Sequence, residues 1–150
     1  MIRFSKIEHN VRELIPRLPA YFESLPEVAF AYLFGSYGER RETALSDIDI
    51  GVCLLDDVHE NSYFDFRLRI IGDVSHLLKT NEVDVLILNE VTLSLRYHAV
   101  STRQVLFERD PAQRVEFEVR TLSQYLDMYP LFRVQKEYFL EHIKEGLIFG

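Results

Sequence analysis

Two aspartates in an otherwise apolar run constrain this chain more than anything else in it. The stretch SDIDIGVCL, Ser46 to Leu54, alternates Asp47, Asp49, Gly51 and Cys53 with Ile48, Ile50, Val52 and Leu54. That period of two is the signature of a strand with one apolar face. It puts both carboxylates on the other face, with their Cα atoms roughly 7 Å apart. Like charges held that close raise at least one pKa and cost stability unless something positive meets them. An ion pair with Arg40 or Arg41 is the bland solution, and a divalent metal ion is the sharp one. Mg²⁺ favours carboxylate oxygens and keeps positions open for water and phosphate.

A second feature precedes the aspartates. Val28–Phe34 reads as a buried strand of β-formers, and Gly35-Ser36 ends it. Glycine there lets the backbone turn sharply and come close to a ligand. Ser36 offers a hydroxyl, a plausible helix cap, and N–H groups suited to phosphate. Ten residues separate Gly35-Ser36 from Asp47-Ile48-Asp49. From average residue usage, a chance match to that pattern in a chain of this length is on the order of one in a thousand. A third carboxylate, Asp84, is the interior charge of another apolar run, EVDVLILN. It completes the group if strand 83–88 lies beside strand 46–54. Metal-holding carboxylates next to a phosphate-cradling turn suit phosphoryl or nucleotidyl transfer.

The remaining chain reads as scaffold. Residues 7–24 predict a first helix, with a capping box at Ser5 and Glu8 and a kink or break at Pro16. Residues 63–79 carry a helical apolar stripe of Phe66, Ile70, Val74, Leu77 and Leu78. Leu93–Ala99 predicts a short helix and Gln104–Phe107 an edge strand. From Pro111 the period is helical again, and Pro130 predicts a break into two helices. The fold class expected is α+β, an α/β sandwich of a small mixed sheet packed with helices, followed by a C-terminal helical pair. The whole chain, 1–150, is expected to be one domain, with its core at about 28–110 and a helical extension at about 111–150.

Composition removes several function classes. The net charge of −7 argues against broad nucleic-acid binding, which needs clustered Lys and Arg. It is compatible with a basic protein partner. No apolar run approaches a membrane span, and the N-terminus lacks signal-peptide regions, so a cytoplasmic protein is expected. Cys53 is the one cysteine, which excludes disulfide frameworks. His9, His59, His76, His98 and His142 show no metal-ligand spacing and read as surface or packing residues. The late aromatics Tyr125, Tyr129, Phe132, Tyr138 and Phe139 fall on more than one helical face and suit a protein interface. The tail Leu147-Ile148-Phe149 also hints at docking.

GSYGERRETALSDID resembles the signature of the minimal nucleotidyltransferases, in the DNA polymerase β-like superfamily. Ser46 before the first aspartate is part of that likeness, and Asp84 matches the family's third carboxylate. The resemblance covers residues 28–110. It implies an enzyme that uses ATP and two Mg²⁺ ions. Asp47 and Asp49 would bind both metals, Asp84 would bind the catalytic one and help deprotonate the acceptor, and Gly35, Ser36 and Arg40 would hold the triphosphate. The family often has Ala-Arg-Gly where this chain has Gly38-Glu39-Arg40, so its basic position is shifted. Relatives of this size pair with HEPN ribonuclease toxins. The resemblance therefore implies an antitoxin that moves AMP onto a toxin tyrosine. The alternatives are a small-molecule transferase of the aminoglycoside-modifying kind and an antitoxin acting by binding alone.

Overall fold

A computed structural model describes residues 11–149, with side chains through residue 145. The expected capping box at Ser5 and Glu8, the helix start at Ile7, and the side chains of Leu147, Ile148 and Phe149 lie outside the described residues. Val11–Leu14 (α1) and Leu18–Glu23 (α2) flank a 3-10 turn at Ile15–Arg17. Pro16 therefore interrupts the helix, because it supplies no N–H to the turn before it. Then come strand Val28–Phe34 (β1), one helical turn at Gly35–Gly38 (α3), strand Ile48–Leu54 (β2) and helix Tyr63–Leu78 (α4). Strand Val83–Ile87 (β3), helix Leu93–Ser101 (α5), strand Gln104–Glu108 (β4) and helix Pro111–Phe149 (α6) complete the order.

The four strands form one mixed sheet in the order β3-β2-β1-β4. β1 runs antiparallel to both neighbours, and β2 and β3 are parallel. Every residue of β1 is buried, which fits its central place and its apolar run. One sheet face carries Leu33, Ile48, Ile50, Val52, Val85 and Ile87 against α1, α2 and α4. The other carries Phe30, Tyr32, Phe34, Cys53 and Leu88 against α5 and the start of α6. The alternation in β2 thus sends its isoleucines to the first face and Asp49 to the second.

Two expectations are corrected. Strand β2 begins at Ile48 rather than Ser46. Phe34, the last residue of β1, pairs with Asp49. Gly35 then turns away with φ +66°, so Asp47 has no antiparallel partner there. The C-terminal segment is one 39-residue helix, not a pair. Pro130 sits in a fully solvent-facing stretch, where water can satisfy the carbonyl that loses its N–H partner. No described helix is long and apolar enough to cross a membrane.

A buried polar cluster fastens α6 to the sheet. Glu118 is nearly enclosed and accepts the Tyr32 hydroxyl proton at 2.6 Å. Its carboxylate also meets Arg103 at 2.6 Å and Arg114 at 2.7 Å, and Arg114 reaches on to Glu108. Burial, then the hydrogen bond to Glu118, raises the Tyr32 phenol well above its ordinary range. Removing one member of such a cluster strands the others. Glu118→Ala is expected to cost about 3 kcal/mol in urea unfolding, and Glu118→Gln less, because its amide still accepts two of the three bonds.

Candidate active site

The site is built where β1 ends. Gly35 adopts φ +66°, a left-handed conformation that favours glycine. A Cβ on Gly35 would lie 2.5 Å from an Asp49 carboxylate oxygen. The glycine is thus required twice, for the turn and for the approach of Asp49 to the backbone. Gly35 donates its N–H to the Thr102 hydroxyl at 2.8 Å, and that hydroxyl donates to the His98 carbonyl at 2.8 Å. A Cβ on Gly38 would sit 2.1 Å from the Thr102 carbonyl oxygen. The turn is therefore clamped against the end of α5. Thr102 carries no signal in the sequence, because only the folded chain brings that helix end under the glycines.

Ser36 is not the helix cap. α3 starts at Gly35 with Phe34 in the capping position, so Ser36 lies inside the single turn and is half-buried. Its carbonyl accepts the Arg41 N–H at 2.8 Å. The following loop is pinned at two points. Arg12 donates to the Tyr37 carbonyl at 2.8 Å and pairs with Glu42. Thr43 donates its N–H to the Ser46 hydroxyl at 2.9 Å, closing a short turn just before Asp47. Arg40 is exposed on left-handed backbone, φ +58°. Arg41 pairs with Glu39. Among the described residues no Lys or Arg pairs with Asp47 or Asp49, so the bland ion-pair solution is not the one adopted.

Asp49 and Asp84 are direct partners in the parallel β2–β3 register. Their strands run about 5 Å apart, so the two carboxylates leave the same face side by side. The Asp49 carboxyl is pushed up to about 6, first by burial, then by the charges of Asp84 and Asp47. His98 pulls it the other way, so this histidine stands close enough to act on the site. Asp47 is exposed at the mouth. Asp84 is turned partly outward, with a carboxylate oxygen 3.4 Å from Arg67, whose Nε donates to the Val85 carbonyl at 2.7 Å. Arg67 and His98 were not legible as site residues, since neither belongs to a motif and each meets the site through the packing of its helix on the sheet. On the same face, burial and then the Asp56 charge push the Cys53 thiol up to about 12.

Three carboxylate groups offer the hard oxygen donors that a divalent cation prefers. Their mutual repulsion, expressed at Asp49, is what such a cation would relieve. Among the described residues the three are not drawn into a closed ligand shell. Asp84 must swing from Arg67 for all three to share an ion. The chemistry of the donor set fits, and the ion would order it.

The family described as Polymerase beta, Nucleotidyltransferase matches residues 17–112, which hold the whole sheet and all of the site. The chain belongs to this family. Its fold is also that of solved toxin–antitoxin chains. One, from a toxin–antitoxin complex with AMP-PNP, is 23% identical with a TM-score of 0.62, covering 90% of this chain and 98% of the other. A second comes from a tri-AMPylated Shewanella oneidensis HEPN toxin in complex with MNT antitoxin. It is 20% identical with a TM-score of 0.61, covering 89% and 98%. At these identities the likeness establishes fold alone. No curated protein matches in sequence.

Two outcomes follow from the site's electrostatics. Asp49 has a folded-state pKa above its ordinary 3.8, so its contribution to stability is fully present below that value and is lost as pH rises through about 6. Asp49→Asn removes the loss. The variant should melt about 2 °C higher than the parent at pH 7.5 without divalent ions, with the gap closing at pH 5 and in millimolar Mg²⁺. Gly35→Ala should abolish nucleotide binding measured by calorimetry, because both the φ angle and the Asp49 contact forbid the methyl group.

Proposed function

We propose that the chain is an Mg²⁺-dependent antitoxin that transfers AMP from ATP to a tyrosine of a cognate HEPN toxin and thereby silences it. The observation that carries this reading is the juxtaposition of Gly35, Asp49 and Asp84 at one end of the sheet. It is supported by structural likeness to chains from a complex with AMP-PNP and from one with a tri-AMPylated HEPN toxin.

In this reading residues 28–110 perform the chemistry and 111–150 serve recognition. The triphosphate lies across Gly35 and Ser36, where the turn lets backbone and ligand approach. Arg40, exposed beside that turn, is the nearby cation for the outer phosphates. Asp47, Asp49 and Asp84 would hold two Mg²⁺ ions, which when bound neutralise the triphosphate and the departing pyrophosphate. The toxin's tyrosine oxygen attacks the α-phosphorus in line. A new oxygen–phosphorus bond forms, the bond to the bridging oxygen breaks, and pyrophosphate leaves. Asp84, exposed beside Asp49, takes the phenol proton. Arg67, 3.4 Å from an Asp84 carboxylate oxygen, is the partner that Asp84 leaves when the ions bind.

Incubation of the chain with a cognate HEPN toxin, ATP and Mg²⁺ should add whole AMP units to a tyrosine, read by intact-mass and peptide mass spectrometry. Asp47→Asn combined with Asp49→Asn should lower the transfer rate by at least about a thousandfold while leaving the circular dichroism unchanged. Full transfer by that variant would refute the carboxylate assignment. Tight binding with no added mass would assign the protein to neutralisation by contact alone, and AMP appearing only on small cationic sugars would move it to the aminoglycoside-modifying class.

A further inference from the structure

Helix α6 is about 58 Å long at 1.5 Å per residue, far longer than the sheet it rests on. Its contacts with the fold lie on one side, at Phe117, Glu118, Thr121 and Tyr125. Tyr125 stacks face to face on Tyr97 with ring centroids 3.6 Å apart. Beside that side runs a second stripe. Val119, Leu122, Leu126, Tyr129, Leu140 and Ile143 recur at alternating steps of four and three, with Arg133 and Lys136 filling the two central places. That is the heptad seam of a coiled coil, with a four-three period kept over more than three heptads. All six apolar members are exposed, between 39% for Leu122 and 69% for Leu126. A helix that spends this period on water is incomplete.

We infer that the seam is closed by α6 of a second copy of this chain, running antiparallel. The sequence is complementary to itself in one antiparallel register, centred on Leu131. There Val119 meets Ile143 of the second copy, Leu122 meets Leu140, and each pair occurs twice by symmetry. Tyr129 receives Arg133, a cation over an aromatic face. Leu126 receives the aliphatic stem of Lys136, whose ammonium extends past it to water. On the flanks Glu116 meets Lys144, and Phe132 meets its own copy across the two-fold axis. A parallel pairing instead sets Arg133 against Arg133 and Lys136 against Lys136, two like-charge contacts in the seam, and is rejected. The centring also brings Pro130 opposite Pro130, on the flank where its missing N–H conflicts with nothing. The inference stands apart from the transfer chemistry, since no seam residue belongs to the Gly35–Asp49–Asp84 site.

The test uses the full-length chain alone. Sedimentation over a hundredfold range of micromolar concentration should give twice the 17.7 kDa chain mass. Leu126→Glu with Leu140→Glu should yield a monomer with unchanged circular dichroism and unchanged ATP binding, because both side chains are on the surface. Orientation is read from cysteine trapping. Leu122→Cys mixed with Leu140→Cys should form a mixed disulfide between the two variants, while neither alone cross-links; buried Cys53 does not compete. A monomer at every concentration overturns the inference. So does Leu122→Cys linking to itself, which means a parallel pair, or a seam protected only when a toxin is added, which assigns it to that partner. Loss of AMP transfer without loss of the dimer would refute the functional reading and leave this one standing.

Discussion

The constraint on which the site depends is the placement of Asp49 beside Asp84. A one-residue slip in the β2–β3 register would send one of the two carboxylates into the apolar face packed on α4. The register is set by the isoleucines and valines on that face: Ile48, Ile50 and Val52 on β2 and Val85 and Ile87 on β3 are all buried. Hydrophobic burial on one side thus fixes electrostatic repulsion on the other. The far end of the same strand pair is tied by Asn89, which exchanges two hydrogen bonds with the backbone of Leu54, at 2.8 and 3.0 Å. The pair is pinned where nothing reactive sits and left strained where the acids meet.

Much of this was legible in the chain. The period-two pattern of β2 and the single charge in β3 are local signals, and the folded chain places Asp49 and Asp84 as partners. Gly35 was legible as a turn. Its second role, making room for the Asp49 carboxylate, needs the β1–β2 pairing. Ser36 as a cap was a reasonable expectation from side-chain chemistry, yet the helix starts one residue earlier because Gly35 itself supplies the turn. Thr102, Arg67 and His98 were illegible for a common reason. Each acts at a position defined by a helix packing onto the sheet, and helix-to-sheet contacts leave no short-range pattern.

Pro130 shows the opposite error, a local rule applied too strongly. Proline removes one helix hydrogen bond and crowds the preceding turn, which ends a helix when flanking contacts favour another path. Here nothing in the single chain offers an alternative path. Residues 126–131 face solvent, and good helix formers lie on both sides. The anchoring falls earlier, at Glu118, so the distal half is free to run straight on. The protein thereby separates two tasks: the first turns of α6 belong to the sheet, and the rest presents surface.

The acidity of the chain bears on how it could take a nucleotide. A bare triphosphate approaching Asp47, Asp49 and Asp84 meets charge of its own sign, in a molecule whose formal net charge is already −7. Arg67 is committed to Asp84 and Arg41 to Glu39, leaving Arg40 as the exposed cation of that loop. Electrostatics alone would repel the ligand. A triphosphate would settle here only where its charge is offset by cations that the same carboxylates attract. Under the proposed function, the acids that destabilise the empty fold would also select for a ligand that arrives with divalent cations.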